Sequence, residues 1–98
     1  MKNIFAELIF SKDREIVNNF FENQDIRVEL ITSSGQVSNW YDQDEDELVF
    51  LLEGMAIIEY EEGTETLEKG AFTFIPKHKK HRVAYTSENC IWLCIFNK

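Results

Sequence analysis

The chain has little proline, glycine, cysteine or histidine. Its 98 residues hold one proline, four glycines, two cysteines and two histidines, and ten basic residues stand against eighteen acidic ones. Each scarcity excludes something. A net charge of −8 argues against nucleic acid as a partner, because affinity there comes largely from Lys and Arg neutralising phosphates, and it disfavours anionic membrane surfaces on the same ground. No run approaches the ~20 apolar residues that span a bilayer. Lys2 to Phe10 is interrupted by Asn3 and Glu7 where a signal peptide needs an unbroken apolar stretch, so a cytoplasmic protein is expected. Cys90 and Cys94 lie in a β-branched and aromatic run that reads as strand. At that spacing they sit roughly 13 Å apart, too far for one disulfide or one metal. They are expected to be buried apolar fillers, with a reactive thiol as the alternative.

What the chain does have is apolar content of 44%, with eight phenylalanines, enough for one domain of this length to build a core. Ile16, Val17, Phe20 and Phe21 are spaced for one face of a short helix within Asp13–Glu22, capped by Ser11 or Asp13. From Ile26 onward the pattern changes to short apolar runs punctuated by turns: Ile26–Ile31, Leu48–Leu52, Met55–Tyr60, Thr64–Leu67, Ala71–Ile75, Arg82–Thr86 and Ile91–Phe96. Strands at such even spacing predict an all-β antiparallel sandwich or barrel over 26–98, with residues 1–25 as an N-terminal segment whose helix packs on it. The runs Leu48–Leu52 and Ile91–Phe96 are continuous rather than alternating, which predicts that some outward residues are covered, as in a homodimer.

The stretch Gly70–His81 joins a strand opening at a glycine to a proline-stopped turn, and it ends on the only two histidines, His78 and His81. Upstream stand Glu47 and Gly54, with six residues between them. These words resemble the cupin superfamily, whose first motif is usually written G-x5-H-x-H-x3,4-E-x6-G and whose second is G-x5-P-x-G-x2-H-x3-N. Glu47 and Gly54 match the end of the first. Gly70, Pro76 and His81 match the second, with His78 at its usual glycine and Tyr85 at its usual asparagine. Counting back from Glu47, the family histidines fall on Tyr41 and Gln43 with the shorter spacer, or on Trp40 and Asp42 with the longer.

The resemblance covers about residues 26 to 96 and is to small single-domain bacterial cupins. It implies a double-stranded β-helix, or jelly-roll barrel, with one open mouth, and a divalent metal (Mn, Fe, Zn or Ni) held by inward side chains. Carried over by position, the metal candidates are Gln43, Glu47 and His81. A hard-leaning set of imidazole, carboxylate and amide oxygen would suit such an ion, while His81 read without the family is equally a hydrogen-bonded histidine in the barrel mouth. His78 is either a surface residue in Lys77–Lys80 or a rim contact. Tyr85, four past His81, is expected on the same face as a wall residue. Lys77, Lys79, Lys80 and Arg82 form a basic cluster that either draws an anionic ligand, with Lys79 or Arg82 at the rim, or balances the acid run Asp42–Glu47. That run lacks the turn glycine and the flanking helices of an EF-hand, so calcium is not expected there. No nucleophile system and no phosphate-cradling loop is visible. Two functions remain: a metal-dependent isomerase, lyase or dioxygenase acting on a small molecule, or a non-catalytic ligand-binding or interaction barrel without metal.

Overall fold

The computed structural model describes residues 3–98. Eight strands run in chain order: β1 (Ile16–Glu22), β2 (Ile26–Ser33), β3 (Asp46–Glu53), β4 (Ala56–Tyr60), β5 (Gly63–Leu67), β6 (Phe72–Ile75), β7 (His81–Thr86) and β8 (Cys90–Asn97). They form a five-stranded sheet in the order β1-β2-β8-β3-β6 and a three-stranded sheet in the order β5-β4-β7. All pairings are antiparallel. The facing sheets enclose a core that includes Val49, Leu51, Ala56, Ile58, Leu67 and Ile75, and the β8 residues Cys90, Trp92, Cys94 and Phe96 all point into it. Both cysteines are free and buried, as their place in an apolar strand requires.

The helix expected within Asp13–Glu22 is absent; those residues form β1, paired with β2. A register shift between Asn19 and Phe21 explains the false signal. One extra residue in a strand reverses which face the next side chains take, so a bulged strand produces the apolar doublets that also fit a helix. The β-branched pair Ile16-Val17 and the short polar pair Asn18-Asn19 are poor helix formers in any case. The boundary expected at 25/26 falls in the β1–β2 hairpin, where the Asn23 side-chain oxygen accepts from the amides of Asp25 and Ile26 at 2.8 Å each. Ahead of β1, the segment from Asn3 is tied to the barrel: Thr32 Oγ1 donates to Ile9 O at 2.6 Å, and Gln36 Nε2 to Ser11 O at 2.8 Å. Met1 and Lys2, which open the expected N-terminal segment, lie outside the described residues.

Gly54 makes the β3–β4 turn with φ +93°, and a Cβ there would stand 2.7 Å from Cys90 Sγ and 2.9 Å from Ser87 Oγ. Backbone conformation and space both demand glycine at this one position. Among the described residues no helix is long and apolar enough to cross a membrane.

Candidate functional site

A cavity of about 580 Å³ lies between the two sheets. Glu47, at the start of β3, turns into it because its neighbours Leu48, Phe50 and Leu52 alternate to the outer face while Val49 and Leu51 continue inward. Its side chain is 8% exposed, and Gln43 Nε2 donates to its Oε1 at 2.8 Å. Burial holds the Glu47 carboxyl above the ordinary carboxylate range, offset in part by the bond from Gln43 and by the nearness of His81. Cys94 packs beside it, and burial together with the Glu47 charge pushes that thiol well up, so Cys94 is a protonated wall rather than a nucleophile.

His81 opens β7 and is 4% exposed. Its backbone exchanges hydrogen bonds with Tyr41, and its ring lies between those of Tyr41 and Tyr60 at 5.5 and 6.4 Å. His81 Nδ1 is 2.8 Å from Lys79 O. A carbonyl only accepts, so in the neutral ring Nδ1 carries the proton and Nε2 is left as an acceptor. Nε2 has no protein partner among the described residues, yet no buried side-chain nitrogen or oxygen there lacks one. It therefore meets the open space of the cavity its residue lines.

Gln43, Glu47 and His81 thus line the same cavity, Glu47 from the five-stranded sheet and His81 from the three-stranded one. The donor set does not fit a resident divalent ion: the Gln43 amide nitrogen is turned onto Glu47, and among the described residues no three His, Cys, Asp or Glu side chains converge as metal ligands. Tyr41, which occupies a family histidine position, packs its ring on His81 instead.

The other sequence candidates stand elsewhere. Tyr85 is 45% exposed and outside the cavity lining, contrary to expectation. The β4–β7 register shifts between Ile57 and Ile58, so Val83 and Thr86 follow His81 inward while Tyr85 turns out. Arg82 also lies outside the lining, its Nε bonded to Glu59 at 2.6 Å and its guanidinium over Trp40. Lys79 pairs with Glu62 at 3.1 Å and covers the Tyr60 ring. His78 is exposed, with Nδ1 2.9 Å from Asp42 Oδ1, while the backbone N–H of Lys77 donates to Asp46 Oδ1. The basic turn and the acid run adjoin through these two hydrogen bonds, while the charged ends of Lys79 and Arg82 pair with Glu62 and Glu59 outside the run. His78 also has φ +64°, the left-handed conformation that explains why the motif carries glycine there.

Residues that the sequence did not single out complete the cavity: Arg27, Glu29 and Ile31 from β2 and Glu15 before β1, beside Trp92 of β8, which is both core and cavity lining. Arg27 forks onto Glu45 at 2.8 and 2.9 Å and reaches Glu29 at 3.1 Å, with its guanidinium over the Phe96 ring. The signal for Arg27 and Glu29 was present as strict alternation with Val28 and Leu30. A rule that sends polar residues outward reads it with the wrong sign.

A doubly sheeted barrel with one buried glutamate and one buried histidine facing a central cavity is the architecture of a cupin, and the comparisons agree. The family model described as Cupin domain matches residues 28–96, and the chain belongs to that family. A protein of Ralstonia eutropha JMP134 that carries the provisional name mannose-6-phosphate isomerase is similar over all of this chain and 97% of its own, at 32% identity and TM-score 0.92. A Streptococcus pyogenes protein of unknown function superposes over all of this chain and 86% of its own, at 20% identity and TM-score 0.85. A cupin superfamily protein of Desulfitobacterium hafniense does so over 89% and 80%, at 17% identity and TM-score 0.80. The search of curated proteins returned no match.

Proposed function

We propose that this cupin holds a compact polar molecule between its sheets by direct hydrogen bonds to Glu47 and His81, with no divalent ion between them. The observation that carries the reading is His81 Nε2: an acceptor on a residue 4% exposed, opening on a cavity of about 580 Å³, the size that takes small ligands. Glu47, whose burial favours its protonated form, and His81, whose Nε2 is an acceptor, are an acid and a base lining one cavity. Proton transfer within a bound molecule is the chemistry such a pair supplies, which supports an isomerase or lyase reading over a dioxygenase.

The name of the Ralstonia eutropha protein is that of an isomerase acting on a phosphosugar. The isomerase class agrees with the acid–base pair; the phosphate finds less support. Arg27 is engaged by two carboxylates, and Arg82 and Lys79 are bound to glutamates away from the cavity.

The test is ligand-observed NMR with a small-molecule library on chelator-treated protein, repeated with Mn, Fe, Zn and Ni added. Binding should survive chelation and weaken at least about tenfold in His81→Phe, which keeps the ring's shape and removes the acceptor. A metal that co-purifies stoichiometrically, is lost in Glu47→Ala/His81→Ala and is required for binding would overturn the reading.

A further inference from the structure

The cavity lining has bound many of its side-chain donors within the protein and has left several strong acceptors open. Trp92 Nε1 donates to Ser33 Oγ at 2.9 Å, Thr86 Oγ1 to Gln36 O at 2.7 Å, and Ser38 Oγ to Asn39 O at 2.9 Å. The Gln36 amide is bound to Ser11 O, the Gln43 amide to Glu47, and the Arg27 fork to Glu45 and Glu29. What faces the space is acceptor: His81 Nε2, Glu29 Oε1 and both carboxylate oxygens of Glu15, none with a partner among the described residues. Arg14, Asn39 and Tyr41, lining residues whose side-chain donors have no acceptor among the described residues, are all exposed.

Charge runs the same way. Glu15 and Glu29 line the cavity against Arg14 and Arg27, and Arg27 is already shared between Glu29 and Glu45. Partial burial, and then the neighbouring Glu29, hold the Glu15 carboxyl above its ordinary range.

We infer that the ligand of this cavity is a small ammonium compound, such as a primary amine or amino sugar, whose N–H groups donate to His81 Nε2 and to the carboxylates of Glu15 and Glu29. A group that is all donor and positively charged satisfies these open acceptors, whereas a carboxylate or phosphate would meet Glu15, Glu29 and His81 Nε2 as acceptor against acceptor. The inference rests on the ligand-binding reading above and adds the sign of the ligand's charge.

The experiment uses the full chain and two skeletons in three charge states: cyclohexylamine, cyclohexanol and cyclohexanecarboxylate; mannosamine, mannose and mannose 6-phosphate. Binding is followed by the shifts of the Trp92 indole and His81 ring signals. The amine of each set should bind on the order of tenfold more tightly than its neutral partner, with the anion weakest. Glu15→Gln, a change at an exposed residue that leaves the core intact, should remove most of that preference. Tightest binding by the neutral or the anionic member, or a preference unmoved by Glu15→Gln and Glu29→Gln together, overturns the inference and leaves direct ligand binding standing. No shift from any of the six overturns the inference; that result alongside an empty library screen overturns the ligand-binding reading as well.

Discussion

The two faces of the five-stranded sheet are made from the same strands and do opposite things. On β3, Glu47, Val49 and Leu51 face the other sheet, while Leu48, Phe50 and Leu52 face out; on β8, Trp92, Cys94 and Phe96 face in, while Leu93 and Ile95 face out. The inner face is the mixed one, carrying Arg27, Glu29 and Glu47 beside its apolar residues. The outer face is the more uniformly apolar, with Phe72 and Phe74 exposed by 65% and 56% on the edge strand β6 and the Phe50 ring 5.6 Å from that of Phe72. Polarity here marks the functional interior and apolarity an outer surface. In a barrel that encloses a cavity, the polar positions of a strand belong to the ligand as readily as to water. The two histidines repeat the division on one turn: His81 faces the cavity, and His78 faces solvent.

The comparison breaks most directly at paired truncations. Leu51→Ala opens a hole in a fully buried position and should lower stability by about 3 kcal/mol, whereas Phe74→Ala on the outer face should cost less than about 1 kcal/mol in a monomer. Urea unfolding at two protein concentrations measures both. A homodimer formed through the outer face, as the continuous apolar runs suggested, would make the Phe74→Ala cost large and concentration-dependent, and light scattering would give a mass that Phe72→Ser/Phe74→Ser halves.

Titration of the inner face sharpens the contrast. Unfolded, the Glu47 carboxyl ionises near pH 4.3, roughly the ordinary glutamate value. Folded, burial raises that value, so the native state binds more protons over the interval and stability falls as pH climbs through it. Between about pH 4 and pH 7 the urea midpoint of Glu47→Gln should therefore decline less than that of the wild type. Parallel curves for the two proteins would mean that Glu47 is as well solvated folded as unfolded. Smallest is the effect expected at the solvent-facing histidine. His78→Gly relieves the left-handed backbone at φ +64° and loses an exposed pair with Asp42, a net gain of about 0.5 kcal/mol read from the thermal midpoint. A loss of stability would show that the His78–Asp42 pair holds the turn more strongly than exposed pairs usually do.

Much of this fold was legible. The runs from Ile26 to Phe96 became β2 to β8, because turn residues and strand-length apolar runs are local signals. Glu47 and His81 are buried, Gly54 turns with positive φ between β3 and β4, and Pro76 directly follows β6. Two bulges defeated the rest. The one in β1 imitated a helix, and the one between β4 and β7 turned Tyr85 away from His81, because each is a pairing irregularity that period-two counting cannot contain.

The sequence by itself determined the strands from Ile26 onward, the family, and the burial of Cys90, Cys94 and His81, since these follow from composition, spacing and motif. Tertiary structure decided which face of each strand meets the cavity and which charges have partners. Arg82 and Arg27 look alike in the sequence. Only the packing of one sheet over the other puts Arg27 inside, against Glu45 and Glu29, and leaves Arg82 outside on Glu59. The physical reason is that enclosure, hydrogen-bond partnership and local charge balance belong to residues far apart in the chain, and they exist only once the two sheets have closed.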